Sequence, residues 1–250
     1  MMKFGARSYS LIFAYRDLLQ VSAPAFFVFV GAVVTALLLG FTFHEFSHAF
    51  AATRLGDPTP RYRGRLTLNP MAHMDPAGTA LLFLAGFGWG KPVEVNPNFM
   101  RGDPKTNLAI TAAAGPVSNL VIAGLAGLAI KLDIVPWRSP FHLQTLAQWG
   151  LDDYLGLYLS SIVIFGVILA VFNLIPLFPL DGFSVAVGIL PLELSRSLEE
   201  LRAWGPGILF LLIALPFVLG GRFGLLFQIM APAVNGLTRL FTGIDTNVYG

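Results

Sequence analysis

His44, Glu45 and His48 are the residues of this chain whose types and spacing best fit chemistry, in the run His44-Glu45-Phe46-Ser47-His48. Two histidines four apart share one face of an α-helix, which is the spacing for two ligands on one Zn²⁺. A glutamate between them is the residue type that takes a proton from water in metal-assisted hydrolysis of a peptide bond. The run follows directly on residues 25–43, which carry no charge, so the chemistry would lie within a membrane. Three plainer readings compete. A chance match is one. A structural metal site is another, but closed structural zinc sites favour thiolates, and the chain has no cysteine. The third is a polar trio satisfied inside a helix bundle without metal, an arrangement that is costly in hydrocarbon and usually retained there for function.

The elements that must position these groups are apolar helices. Of the 250 residues, 55% are hydrophobic and only 12% charged, against about 25% charged in soluble domains. A bilayer span needs about 20 apolar residues. Residues 25–43 continue through the histidine run to about Leu55, where Gly56-Asp57-Pro58 stops the helix. Uncharged stretches at 106–130 and 154–180 give two more spans, the latter broken near Pro176 and Pro179. Residues 203–221 make a fourth candidate, and 223–238 a fifth span or half of a hairpin. Residues 77–90 are too short to cross and read as re-entrant or interfacial. The expected fold is an all-α polytopic membrane protein, a bundle of about four to six transmembrane helices. Residues 1–24 form an N-terminal interfacial segment, and residues 25–250 a single transmembrane domain. The first apolar run is too long for a signal peptide and reads as a retained anchor.

The connection from Arg54 to Lys105 also holds Arg61, Arg63, Arg65, Lys91 and Arg101. The positive-inside rule makes it cytoplasmic and puts the histidine end of the first span on that side, although Lys3, Arg7 and Arg16 pull the other way. Residues 61–68 partly alternate between side-chain types and are bounded by turn signals, which predicts a small β-element near the cytoplasmic interface. Such a strand could hold an unwound substrate by strand addition; a short basic hairpin at the headgroups is the alternative. No basic run with interleaved aromatics points to nucleic acid.

A catalytic zinc needs a third protein ligand and an open position. Asp181 stands out, because it follows Asn173-Leu-Ile-Pro176-Leu-Phe-Pro179-Leu180 and precedes Gly182. The prolines would unwind the helix and let a carboxylate turn inward, although an Asp at a helix end is also a common cap. Asn173 reads either as a hydrogen-bond donor to substrate or as a helix–helix contact. His73 is a relay, a partner to the site or a structural loop residue; Asp75 orients it or makes a turn. Asn119 packs helices or supports the site.

These motifs together resemble the site-2 protease family of intramembrane zinc metalloproteases. The pairing is the histidine run on one membrane helix with Asn173…Pro176…Pro179-Leu180-Asp181-Gly182 on a later one. Leu68-Asn69-Pro70 with His73, Gly88-Trp89-Gly90-Lys91-Pro92-Val93, and Ala114-Gly115-Pro116 with Asn119 also resemble its bacterial branch. The likeness covers about residues 25–190. It implies that His44, His48 and Asp181 bind one Zn²⁺, that Glu45 is the catalytic base and that Asn173 lies near the metal. It also implies cleavage within or near transmembrane segments of membrane-spanning substrates, as in regulated intramembrane proteolysis, by a multi-pass protein of the bacterial plasma membrane with its active site toward the cytoplasm. No stretch fits the PDZ domain or the nucleotide-sensing module found in many relatives, so a minimal catalytic core is expected. The competing functions are a non-catalytic metal-binding protein or chaperone-like scaffold, and a transporter, for which no inverted repeat is visible.

Overall fold

In the computed structural model, which describes residues 19, 22–85, 88–140, 149–218 and 224–245, Ser22 starts the first long helix. Its hydroxyl accepts the Ala25 N–H at 3.3 Å, with Pro24 in the first turn where no intrahelical N–H is needed. Helix α1, Ala23–Leu55, runs 33 residues. That is about 50 Å at 1.5 Å per residue, longer than the ~30 Å hydrocarbon core. It ends at Gly56, which takes a left-handed φ of 115° as the Gly56 and Asp57 N–H groups turn back to the Thr53 and Ala52 carbonyls. The stop signal read from the sequence is therefore the one the chain uses.

The helices that follow are α2 (Thr59–Tyr62), α3 (Pro76–Ala85), α4 (Pro104–Lys131), α5 (Leu151–Asn173), α6 (Asp181–Ile189), α7 (Leu192–Glu200), α8 (Gly205–Val218) and α9 (Leu225–Thr242). Among the described residues α1, α4 and α5 are long and apolar enough to cross a membrane, and these three pack against one another. The expected fourth segment forms the 14-residue α8 and the fifth the 18-residue α9. Neither is among the three candidate spans of the described residues, and residues 219–221 of the expected fourth segment lie outside them, so the expected count of four to six is not confirmed. Helix α9 buries Leu226, Met230, Val234, Thr238 and Thr242, one stripe at every fourth residue, against α4 and α5.

Close packing of α1 comes from small side chains. Ala25, Phe29, Ala32, Ala36, Gly40, His44, His48 and Ala52 are all buried and recur every three or four residues. Small residues let membrane helices approach without a hydrophobic driving force. A Cβ on Gly40 would stand 3.0 Å from Leu169 Cδ2 of α5, and one on Gly166 3.2 Å from Ala123 Cβ of α4. The two histidines therefore occupy the seam that holds the bundle together.

The expected β-element at residues 61–68 is not formed. Arg61 and Tyr62 lie in α2, and Gly64 turns at φ 68°. The Arg65 N–H returns to the Pro60 carbonyl at 2.8 Å, and its buried guanidinium donates to the Ala72 carbonyl. Local bonds consume the groups that a strand would offer to a partner. The extended chain near the site lies instead after residue 88, where Gly90 makes an isolated antiparallel bridge with Met74 and the Lys91 N–H reaches the His73 carbonyl at 2.8 Å. The predicted interfacial segment 1–24 falls almost wholly outside the described residues.

Asp57 organises this region. It is fully buried, and its carboxylate accepts the Thr59 N–H at 2.9 Å and the Asn96 N–H at 2.6 Å, fastening the end of α1 to the later loop. Hydrogen bonds to a buried charged group are worth about 1.5–3 kcal/mol each. Asp57→Ala should therefore destabilise the fold by about 2 kcal/mol or more, read as a lowered melting temperature of the detergent-solubilised protein.

Candidate metal centre

Three elements bring the ligand candidates together. Helix α1 supplies His44 and His48 one turn apart, with ring centroids 4.6 Å apart and planes at 88°. Helix α5 ends at Asn173, and the segment with Pro176 and Pro179 leads back to Asp181, the first residue of α6. Asp181 is thus not the N-cap of its helix, a position held by Leu180. Gly182 makes the reversal possible, since a Cβ there would lie 2.2 Å from the Leu174 carbonyl oxygen. Asp181 Oδ2 stands 2.9 Å from His44 Nε2 and 3.3 Å from His48 Nε2, and the three ligand atoms lie within 4.8 Å of one another.

These distances suit a cation. Two donors each about 2.0–2.1 Å from zinc at a tetrahedral angle lie about 3.3 Å apart. Asp181 Oδ2 is buried and has no partner besides the two imidazoles. A carboxylate oxygen in that state is costly unless a positive charge faces it. Two imidazoles and one carboxylate are a donor set of the kind that holds zinc.

Helix α4 supports the pair from behind. His48 Nδ1 lies 2.7 Å from the Thr111 carbonyl oxygen, so Nδ1–H donates there and Nε2 keeps its lone pair for a metal. His44 Nδ1 lies 3.0 Å from the fully buried amide of Asn119. Between them Gly115 leaves the space for both rings. A Cβ at that position would be 2.5 Å from His48 Nε2 and 2.8 Å from His44 Cε1. The Thr111 contact uses a backbone carbonyl, which no sequence pattern marks. Gly115 and Asn119, four apart on one helix face, were the legible trace of this support.

The other candidates separate. Glu45 is half-buried, and its Oε2 accepts the Val93 N–H at 3.1 Å, so its carboxylate faces the extended loop. Asn173 donates to the Leu169 carbonyl of its own helix at 2.9 Å. His73 is buried in the loop with Nε2 2.8 Å from the Thr67 carbonyl, a structural pin rather than a member of the trio. Asp75 accepts the Gly78 N–H at 2.8 Å and makes the turn into α3.

Comparison with known proteins supports a metalloprotease. The chain is 32% identical over 214 residues to "Putative zinc metalloprotease YwhC" of Bacillus subtilis, covering 85% of this chain and 91% of that protein. The chain belongs to the site-2 protease family. "Putative zinc metalloprotease Rip2" of Mycolicibacterium smegmatis is 33% identical over 191 residues, covering 74% of this chain and 67% of its own. The protein of that name from Mycobacterium tuberculosis H37Rv is 32% identical over 201 residues, covering 78% and 71%. No family model and no solved structure matches the chain. Family membership and the three apolar helices make this site-2 protease homologue a membrane metalloprotease.

Gly115 gives the sharpest check on the centre. Gly115→Ala should drop bound zinc well below that of the unsubstituted chain, measured by mass spectrometry of the purified protein. The helical circular dichroism should persist, because the clash is with the imidazoles.

Proposed function

We propose that this protein is an intramembrane zinc endopeptidase that cuts membrane-spanning protein substrates within or near their transmembrane segments, in regulated intramembrane proteolysis. The observation that carries the reading is the meeting of the His44 and His48 Nε2 atoms with an otherwise unpartnered Asp181 oxygen, on helices that are apolar elsewhere. His44, His48 and Asp181 would hold one Zn²⁺. A zinc ion there supplies Lewis acidity toward a peptide carbonyl and toward water. Glu45 takes the proton from the attacking water and delivers it to the leaving amine nitrogen, as one carboxylate does in both roles. The Val93 N–H holds that carboxylate by one oxygen, leaving the other for the proton. Asn173 spends one N–H on Leu169 and retains a second for a substrate carbonyl. A metal-binding scaffold without turnover would need the three ligands but not Glu45.

The protein is a multi-pass protein of the bacterial plasma membrane, with the site toward the cytoplasm. The exposed cations Arg54, Arg61, Arg63, Lys91 and Arg101 lie in the connection beside the site and support this side.

Two experiments test the reading. Glu45→Gln should keep its zinc and lose about 10²–10⁴-fold in cleavage of a single-span reporter in proteoliposomes. Cleavage at the original rate would sink the proteolytic role. The absence of native cysteine allows a clean topology assay. Tyr62→Cys, at an exposed position, should react with an impermeant maleimide only when the cytoplasmic face is opened. Labelling of intact cells from outside would reverse the orientation.

A further inference from the structure

We infer that Asn119 is a positioning residue for the metal centre, whose Oδ1 accepts a hydrogen bond from His44 Nδ1–H and so keeps His44 Nε2 free to ligate. The inference rests on the zinc reading above. Asn119 is 0% exposed, contributed by α4, and its amide lies 3.0 Å from His44 Nδ1. A neutral imidazole carries one N–H. If Nε2 binds a cation, that proton sits on Nδ1 and needs an acceptor. The Nδ2 end of Asn119 faces Nδ1, while Oδ1 is buried without any donor. Two N–H groups cannot satisfy each other, so ligation by Nε2 requires the other end of the amide. The two ends of a carboxamide have nearly the same shape, and a half-turn about its last bond exchanges them. That half-turn gives the orphaned Oδ1 its donor.

A second observation runs parallel. The neighbouring ligand His48 is held in the same sense by the Thr111 carbonyl. Thr111, Gly115 and Asn119 recur every four residues on α4, opposite His48 and His44, which are themselves four apart. The helix gives one acceptor per imidazole and, at Gly115, the room between them. Packing alone would ask only for volume at position 119. The geometry points to an acceptor, because partners of this kind fix ligand orientation and tautomer and typically control metal affinity 10–100-fold.

The test is a zinc competition titration against a chromophoric chelator, on the detergent-solubilised full chain, with melting of the metal-free forms alongside. Asn119→Asp keeps the size and can accept; Asn119→Leu keeps the bulk and cannot. The expected result is zinc binding 10–100-fold weaker in the Leu variant and within about threefold of the original in the Asp variant. Asn119→Ala, which leaves a void instead of a clash, carries the same expectation if the Leu variant does not fold. Unchanged affinity in the Leu or Ala variant, whatever its melting temperature, would reduce Asn119 to packing and overturn the inference. Equal losses in the Asp and Leu variants would overturn it too, by showing that Asn119 acts as a donor. A parent protein that binds no zinc removes the metal reading itself, a different failure from one in which the parent binds and the variants match it.

Discussion

Everything at the centre depends on how closely α1 and α4 approach at Gly115. The imidazoles of His44 and His48 occupy the volume that a side chain at position 115 would fill, with His48 Nε2 only 2.5 Å from the place of a Cβ. Ligands, supporting carbonyl and supporting amide all follow from that approach, because it puts Thr111 and Asn119 against the far edges of the two rings. The approach is itself a product of the small-residue seam on α1, where alanine and glycine precede the histidines on one stripe. Membrane helices lack a hydrophobic reason to associate with one another, so shape decides where they meet. The two histidines are placed at the point where shape is most restrictive.

Asp181 solves a different problem. Its charge must reach the bundle interior without a long flexible stem. Helix α5 stops at Asn173, and Gly182 lets the next helix begin against the Leu174 carbonyl. Gly188 then packs α6 on α4, where a Cβ would fall 2.2 Å from Ala109 Cβ. The carboxylate is thus carried on a short rigid helix clamped at two glycines. A rigid carrier matters because ligand geometry tolerates errors of only a few tenths of an ångström.

Much of this was legible. The histidine spacing, the stop at Gly56, the break after Asn173 and the inward turn of Asp181 all appear where the residues place them, since each rests on local chemistry. The strand at 61–68 did not form, because alternation over a few residues is a weak signal where local bonds compete. Arg65, within that stretch, is buried and spends its guanidinium on the Ala72 carbonyl. Apolar length alone does not tell a membrane-crossing helix from one that packs along the bundle. Helix α9 shows the difference, burying one stripe every fourth residue. The Thr111 carbonyl carried no sequence signal at all, as every residue has one.

The three candidate ligands and Glu45 answer to different parts of the molecule. His44, His48 and Asp181 are fixed by helix packing, whereas the Glu45 carboxylate is held by the Val93 N–H in a loop outside the helices. That loop is tied down on both sides of Val93. The Lys91 N–H meets the His73 carbonyl at 2.8 Å, and the Asn96 N–H meets Asp57 at 2.6 Å. Asp57 in turn sits two residues past the end of α1, the helix that carries Glu45 itself. The chain therefore closes a circuit from the helix end, through a buried carboxylate, along the loop and back to Glu45. Because each link is a hydrogen bond from a backbone N–H, the circuit depends on loop conformation and, beyond the helix, on the side chain of Asp57 alone. Substitutions at exposed loop residues such as Trp89 or Lys91 would then leave the orientation of Glu45 intact, whereas a change at buried Asp57, whose carboxylate is itself a link, reaches it from a distance.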